Sequence, residues 1–285
     1  MTGTFTPVFH QFDQSRTEES KNNYHLSLQI SIDGFCFALF HLQERKYIGI
    51  AEYVIPSSTN ILVGDFIASI ILNDPWLTGD FKSVSVGLSI SKNTLIPLAL
   101  FEENQLTNYL ELNSGIDSIG HPGYDRLLKT ESVNCYSQDL QLANIISYYY
   151  PSAQFIHQNS TLIEATAQVT NKQPFIHIQF NRMNIDLAVF IENQLHLQNS
   201  FDYKTTEDVI YYLLYVMEQL ALSQEKTILY ISGNIVKDSN VYQLLYKYIK
   251  DIELVELPKQ VEYSQPIRLA EPHHYYLLIQ QYLCA

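Results

Sequence analysis

One order of elements occurs twice in this chain, and such a duplication limits the available folds more than any single motif does. Residues 28–40, LQISIDGFCFALF, align with residues 178–190, IQFNRMNIDLAVF, so that Gln29 meets Gln179, Ala38 meets Ala188 and Phe40 meets Phe190. Each stretch reads as strand, tight turn, strand. A third strand-like run follows in each copy, KYIGIAEYVI at 46–55 and LHLQNSFDYK at 195–204. A helix comes next, SSTNILVGDFIASIIL at 57–72 and KTTEDVIYYLLYVMEQL at 204–220. In the second, Thr205 or Thr206 caps the helix and Glu207 and Asp208 fall in the first turn, where acidic side chains suit the helix dipole. A strand follows at 83–90 and 227–234, then a helix near 100–112 and at 239–250. This β-β-β-α-β-α order predicts two α/β lobes. Each lobe begins as an antiparallel meander, over 25–55 and 175–203, because parallel neighbours would need long crossovers. The hairpin turns are expected at 32–35 and 181–184, and Asp33-Gly34 carries the signal of a type I′ turn.

Between the copies, 132–137 reads as a strand, 138–150 as a helix, 153–157 as a strand and 160–171 as a helix. The expected division is an N-terminal extension over 1–23 and a first lobe over 24–131, with a Gly- and Pro-punctuated insertion at 111–131. A β-α-β-α connector over 132–171 follows, then a second lobe with its tail over 172–285, closed by a helix near 273–283. The helices at 204–220 and 241–249 carry apolar and Tyr residues over more than one core-facing stripe, which suggests a contact surface.

Charge removes one class of partner. The formal net charge is -13, with only 17 Lys and Arg spread along 285 residues, so a phosphate backbone would be repelled and nucleic acid is not expected. Cys36, Cys135 and Cys284 stand far apart without a C-x-x-C, which fits a reducing compartment. The N-terminus lacks a basic start and apolar run, and no apolar stretch approaches the ~20 residues of a membrane span. A cytoplasmic protein without membrane insertion is expected. No Walker, Rossmann, zincin or nucleophile-elbow motif occurs. HPGYD at 121–125 offers His121 and Asp125 as a remote hydrolase pair, and EPHH at 271–274 reads as a helix start.

The duplicated pattern resembles the actin-like ATPase superfamily, and within it a divergent bacterial branch without an assigned role. The resemblance covers most of residues 24–255. It implies two ribonuclease-H-like lobes with a nucleotide cleft between them. TLIEATAQVTN at 161–171 is similar to the family's connecting helix, with Glu164 at the position of the water-positioning acid and Ala165 and Ala167 at those of the small crossing residues. The phosphate loops depart from the pattern. The family's first loop is D-x-G-[ST], whose Gly lets backbone N–H groups approach phosphate; here Ser31-Ile32-Asp33-Gly34-Phe35 places Phe35 where Gly belongs if Asp33 is the acid. The second, D-x-G-G-G, is replaced by Asn181-Arg182-Met183-Asn184, and three side chains are expected in the space a phosphate needs. The adenosine loop keeps only Gly233-Asn234.

The expected function is therefore an interaction or scaffold protein on an actin-like frame, with an unidentified protein partner or itself as partner, no cofactor and no confident catalytic residue. The alternative is a divergent ATPase or kinase taking ATP and magnesium. Its nucleotide-binding candidates are Asp33 and Gly34 in the first loop, Glu164, Asp186 as a second acid, and Gly233 at the base.

Overall fold

A computed structural model describes residues 5–16, 19–56, 61–90, 92–114, 120–268 and 271–284. The expected cap of the first helix, at 57–60, and part of the expected insertion, at 115–119, lie outside them. In chain order the strands and α-helices are β1 (Phe9–Phe12), β2 (Tyr24–Ser31), β3 (Gly34–His41), β4 (Lys46–Val54), α1 (Val63–Asn73), β5 (Ser83–Leu88), β6 (Asn93–Pro97), α2 (Leu106–Ser114), β7 (His121–Leu127), β8 (Ser132–Gln138), α3 (Leu140–Tyr149), β9 (Ala153–His157), α4 (Gln158–Thr166), β10 (Phe175–Phe180), β11 (Asn184–Ile191), β12 (Gln194–Asp202), α5 (Thr206–Gln219), β13 (Ile228–Gly233), α6 (Asn240–Tyr248), β14 (Asp251–Leu254), β15 (Glu262–Tyr263), α7 (Gln265–Arg268) and α8 (Tyr276–Leu283).

Both meanders form. The first sheet runs β1-β4-β3-β2-β5-β9 and the second β12-β11-β10-β13-β14. In each, the three consecutive strands are antiparallel and the next two join in parallel through helical crossovers. The repeat extends to its irregularities. The register slips between Leu39 and Phe40 in one meander and between Val189 and Phe190 in the other, at positions that the sequence alignment already paired. Thr205 caps α5, in a capping box completed by Asp208.

The lobes differ from the expected division in three places. First, the counterpart of α6 is α3, not the helix near 100–112. That helix, α2, belongs to a three-stranded sheet ordered β6-β8-β7, which lies in the chain between β5 and α3. Second, β9, expected in the connector, pairs in parallel with β5 and completes the first sheet as β14 completes the second. Third, the extension is built into the first sheet rather than standing apart, and part of the tail joins that sheet instead of its own lobe. β1 pairs with β4 at Gly49–Glu52 and β15 pairs with β4 at Lys46–Tyr47, so two distant segments cover one edge strand that would otherwise offer free backbone groups.

Each lobe buries one apolar layer under its own helices. Phe66, Ile67, Ile70 and Ile146 lie on the first sheet; Val209, Leu213, Val216, Met217, Tyr242 and Leu245 lie on the second. The other faces are covered by exchanged helices. α4, which follows the first sheet, packs Leu162, Ile163 and Ala165 against Phe175, Ala188 and Phe190 of the second. α8, from the chain's end, packs Leu278 and Ile279 against Ala38, Phe40, Tyr47 and Ile50 of the first. Tyr276 and Leu277 of α8 meet α4 beside Ala165, whose small side chain permits the close crossing. α5 and α6 each bury one face and leave Tyr211, Tyr215, Tyr246 and Tyr248 exposed.

Candidate functional site

The two hairpin turns face one another across the gap between the sheets. Residues from both lobes line a cleft there: Asp33, Gly34 and Glu52 from the first, Asn181, Arg182 and Gly233 from the second, and His274 and Tyr275 from the segment before α8. The first turn is shifted by one residue from the expected position. Ser31 pairs with Gly34, so Ile32-Asp33 form the two-residue loop, and neither has positive φ; the type I′ expectation is replaced. Gly34 is required by crowding instead, since a Cβ there would lie 2.2 Å from the Tyr53 carbonyl oxygen. Ser31 Oγ donates to Asp33 Oδ1 at 2.6 Å.

Arg182 crosses the cleft from the second turn to the first lobe. Its Nε lies 3.1 Å from Asp33 Oδ2, near enough for an ion pair although not aligned as a hydrogen bond. Its Nη2 donates to Glu52 Oε1 at 3.1 Å. Glu52 Oε2 accepts from Tyr275 OH at 3.0 Å and has His274 Nε2 at 3.5 Å. Burial works against the charged Glu52, but His274, Tyr275 and Arg182 together bring its carboxyl down to about 2. The volume left in the cleft is about 100 Å³. Of the residues that replace the second loop, Asn181 and Arg182 line the cleft, and Arg182 reaches across it to the first lobe. Phe35 is turned into the first core, stacked on Tyr53 and Phe37, and Met183 is 64% exposed.

Behind the turns, a network of amides and hydroxyls joins the lobes. Asp186 is buried and accepts from four uncharged donors: Ser200 Oγ at 2.5 Å, Gln158 Nε2 and Asn181 Nδ2 at 2.8 Å each, and Asn184 Nδ2 at 3.1 Å. Burial raises its carboxyl pKa, and these hydrogen bonds oppose the rise. Gln158, at the start of α4, also accepts from Gln29 Nε2 at 2.6 Å. Ser232 Oγ donates to Gln179 Oε1 at 2.6 Å. The matched pair Gln29 and Gln179 was the sequence's pointer to this network; Gln158, Ser200 and Glu52 had no local signal.

Gly233 lines the same cleft with φ +90, and a Cβ there would lie 2.1 Å from the Phe180 carbonyl oxygen. Left-handed strain and that collision act together, so Gly233→Ala is expected to destabilise by at least about 2–3 kcal/mol in urea unfolding. A loss below about 0.5 kcal/mol would show that the β10–β13 end can yield. Glu164 is not in the cleft. It accepts from Lys129 N at 3.3 Å in a hollow shared with Asp125 and Cys284, and burial raises its pKa. His121 and Asp125 do not meet either. His121 is exposed at the start of β7, while Asp125 accepts from His157 N at 2.8 Å, Ser160 Oγ at 2.6 Å and Tyr136 OH at 3.0 Å. Its carboxylate thus ties β7 to the start of α4. His273 and His274 point apart, His273 Nε2 to the Ile235 carbonyl at 2.6 Å and His274 to Glu52. Among the described residues no group of three or more His, Cys, Asp and Glu side chains could hold a metal, and no helix is long and apolar enough to cross a membrane.

A family model described as "Protein of unknown function (DUF3822)" matches residues 13–252. No curated protein matches the chain. Among solved structures, the chain is similar to a Bacteroides thetaiotaomicron VPI-5482 protein with an actin-like ATPase fold and unknown function. Identity is 26% and the TM-score 0.74, over 82% of this chain and 91% of that one. It is also similar to a chain of a PilM–PilN type IV pilus biogenesis complex, at 12% identity and TM-score 0.58, over 91% and 97% of the two chains. The duplicated sheets and exchanged helices are the actin-like ATPase fold.

Proposed function

The chain belongs to the family described as protein of unknown function DUF3822, and we propose that it acts as a non-catalytic interaction module that keeps the actin-like frame without its phosphate chemistry. The observation that carries this reading is Arg182, whose guanidinium spans the cleft to Asp33 and Glu52. About 100 Å³ is left there, against the roughly 300 Å³ or more of ordinary small-molecule sites. Asp33 is engaged by a cation of the chain itself and Asp186 by four neutral donors, so neither carboxylate is left for a magnesium ion. A chain of this fold also occurs in the PilM–PilN complex, and the work proposed here is likewise contact with another protein or a second copy. Its three cysteines are free thiols, which agrees with the cytoplasm as its location.

A second reading, a divergent ATPase or kinase, has one observation in its favour: Asp33, Gly34 and Gly233 line a single cleft. Melting with and without millimolar ATP and magnesium separates the two. No appreciable shift is expected. A ligand at 100 times its dissociation constant adds about 2.7 kcal/mol, so a rise of several degrees, abolished by Asp33→Asn, would establish the second reading.

A further inference from the structure

The three-stranded sheet leaves one groove between two unpaired strand edges. Among the described residues, β6 pairs only with β8 and β12 only with β11. Their outer edges border a groove of about 540 Å³, lined by Thr94 and Leu95 on one side and Leu195, His196, Leu197 and Gln198 on the other. Leu95 and Leu195 pack below onto the α4 cluster, so this part of the floor is apolar and already supported, while Leu197 turns to the second core on the other face of the sheet.

The backbone along β12 has its direction set. Ser200 N–H is taken by the Asn199 side chain at 2.9 Å. In an antiparallel ladder alternate residues turn their N–H and C=O groups to the same side. Gln198 therefore presents its main-chain groups to the groove, on the side to which Ser200 points. The Gln198 side chain adds a second sign: its Nε2 is buried without a hydrogen-bond partner, while its Oε1 accepts from Asn93 Nδ2 at 2.8 Å and ties the two edges together at one end. The opposite edge of the small sheet is different. There Asp125 of β7 already accepts the His157 N–H of β9 at 2.8 Å.

Two strand edges, each paired on one side only, suit another extended backbone, since a helix keeps its own hydrogen bonds internal. Glu131 is the only formally charged residue in the lining, in a chain of net charge -13, so the groove does not select a charged ligand. We infer that the β6–β12 groove takes an extended, uncharged segment of a partner protein as an added strand, with alternate apolar side chains resting on Leu95 and Leu195. β6 limits the pairing to its five residues. This deepens the interaction reading but is separate from the nucleotide question: a chain that bound both ATP and such a peptide would leave it standing.

A phage-displayed library of linear peptides, panned on the full chain, tests it. Enriched sequences should lack charge and alternate apolar residues. A synthetic copy of the strongest should slow amide exchange along 94–96 and 195–198 by at least about tenfold. His196→Trp and Asn199→Trp, both at exposed groove-lining positions, should weaken that peptide at least about tenfold, or 1.4 kcal/mol, without lowering the melting temperature. Failure to enrich any peptide would overturn the inference. So would protection at β7 and β9 instead, or a helical peptide settling on α5 and α6. Should either Trp variant misfold, the exchange footprint on the unaltered chain decides.

Discussion

Acidification from about pH 7 to about pH 4 should cost this protein the stability that three buried histidines contribute, because each must stay neutral to remain folded. Burial holds the His25 and His157 imidazoles near 4 and that of His177 near 3. His25 lies between Ser83 and Ser85 hydroxyls at 2.8 and 2.9 Å, and His177 between those of Thr166 and Ser232 at 2.7 and 2.8 Å; neither has a carboxylate to welcome a proton. Unfolded, each takes its proton near 6.5. Between that value and the folded one, the unfolded state binds more protons, so stability is full above about pH 6.5 and lost as pH falls towards 4 and 3. Three such groups set an upper slope of about 4 kcal/mol per pH unit. Asp125 works in the opposite direction. Burial lifts it to about 6, so the folded state keeps a proton that the unfolded chain has released, and part of the slope is cancelled. Glu164 and Asp186, also raised by burial, subtract in the same sense. The difference between variants is therefore the sharper measure. Urea unfolding followed across this range should show His177→Gln with a slope shallower by about one proton, or about 1.4 kcal/mol per pH unit. An unchanged slope in that variant would contradict the assignment.

Removing the Asp186 carboxylate should cost more than any surface change. Asp186→Ala leaves the Ser200 hydroxyl and the amides of Gln158, Asn181 and Asn184 without their common acceptor. A buried donor left without its acceptor costs about 1–3 kcal/mol, so losing the acceptor shared by several should cost about 3 kcal/mol or more. The loss should extend beyond β11, because Gln158 also holds Gln29 of the first lobe. Denaturant unfolding gives the number, and amide exchange gives the reach: protection should fall in both β2 and β11. A loss under about 1 kcal/mol, or one confined to β11, would mean that the network does not join the lobes.

The parts of this fold that could be read from the chain are those set by neighbours in sequence. The meanders are local, and their alternation defines them; the matching register slips before Phe40 and Phe190 were not readable, although the two residues already aligned. What could not be read depends on distant pairing. β5 and β9 are joined across the whole small sheet, which contains a helix of its own, and α2 therefore passed for the lobe's second crossover. β1 and β15 reach β4 from opposite ends of the chain. At the site, the loss of glycine from the second loop was plain, and so was Gly233. The destination of Arg182 was not, since Asp33 and Glu52 lie in the other lobe. Gly34 illustrates a local signal with the wrong cause: Asp-Gly suggested positive φ, whereas the glycine is needed because the Tyr53 carbonyl lies against it.

Calorimetric titration of the full chain with ATP and magnesium tests the central claim most directly. Arg182 in the cleft predicts no saturable heat at millimolar nucleotide, and Arg182→Gly should be the variant in which any weak binding first appears. Saturable binding by the unaltered chain with a micromolar dissociation constant, about -8 kcal/mol, and its loss on Asp33→Asn, would contradict it.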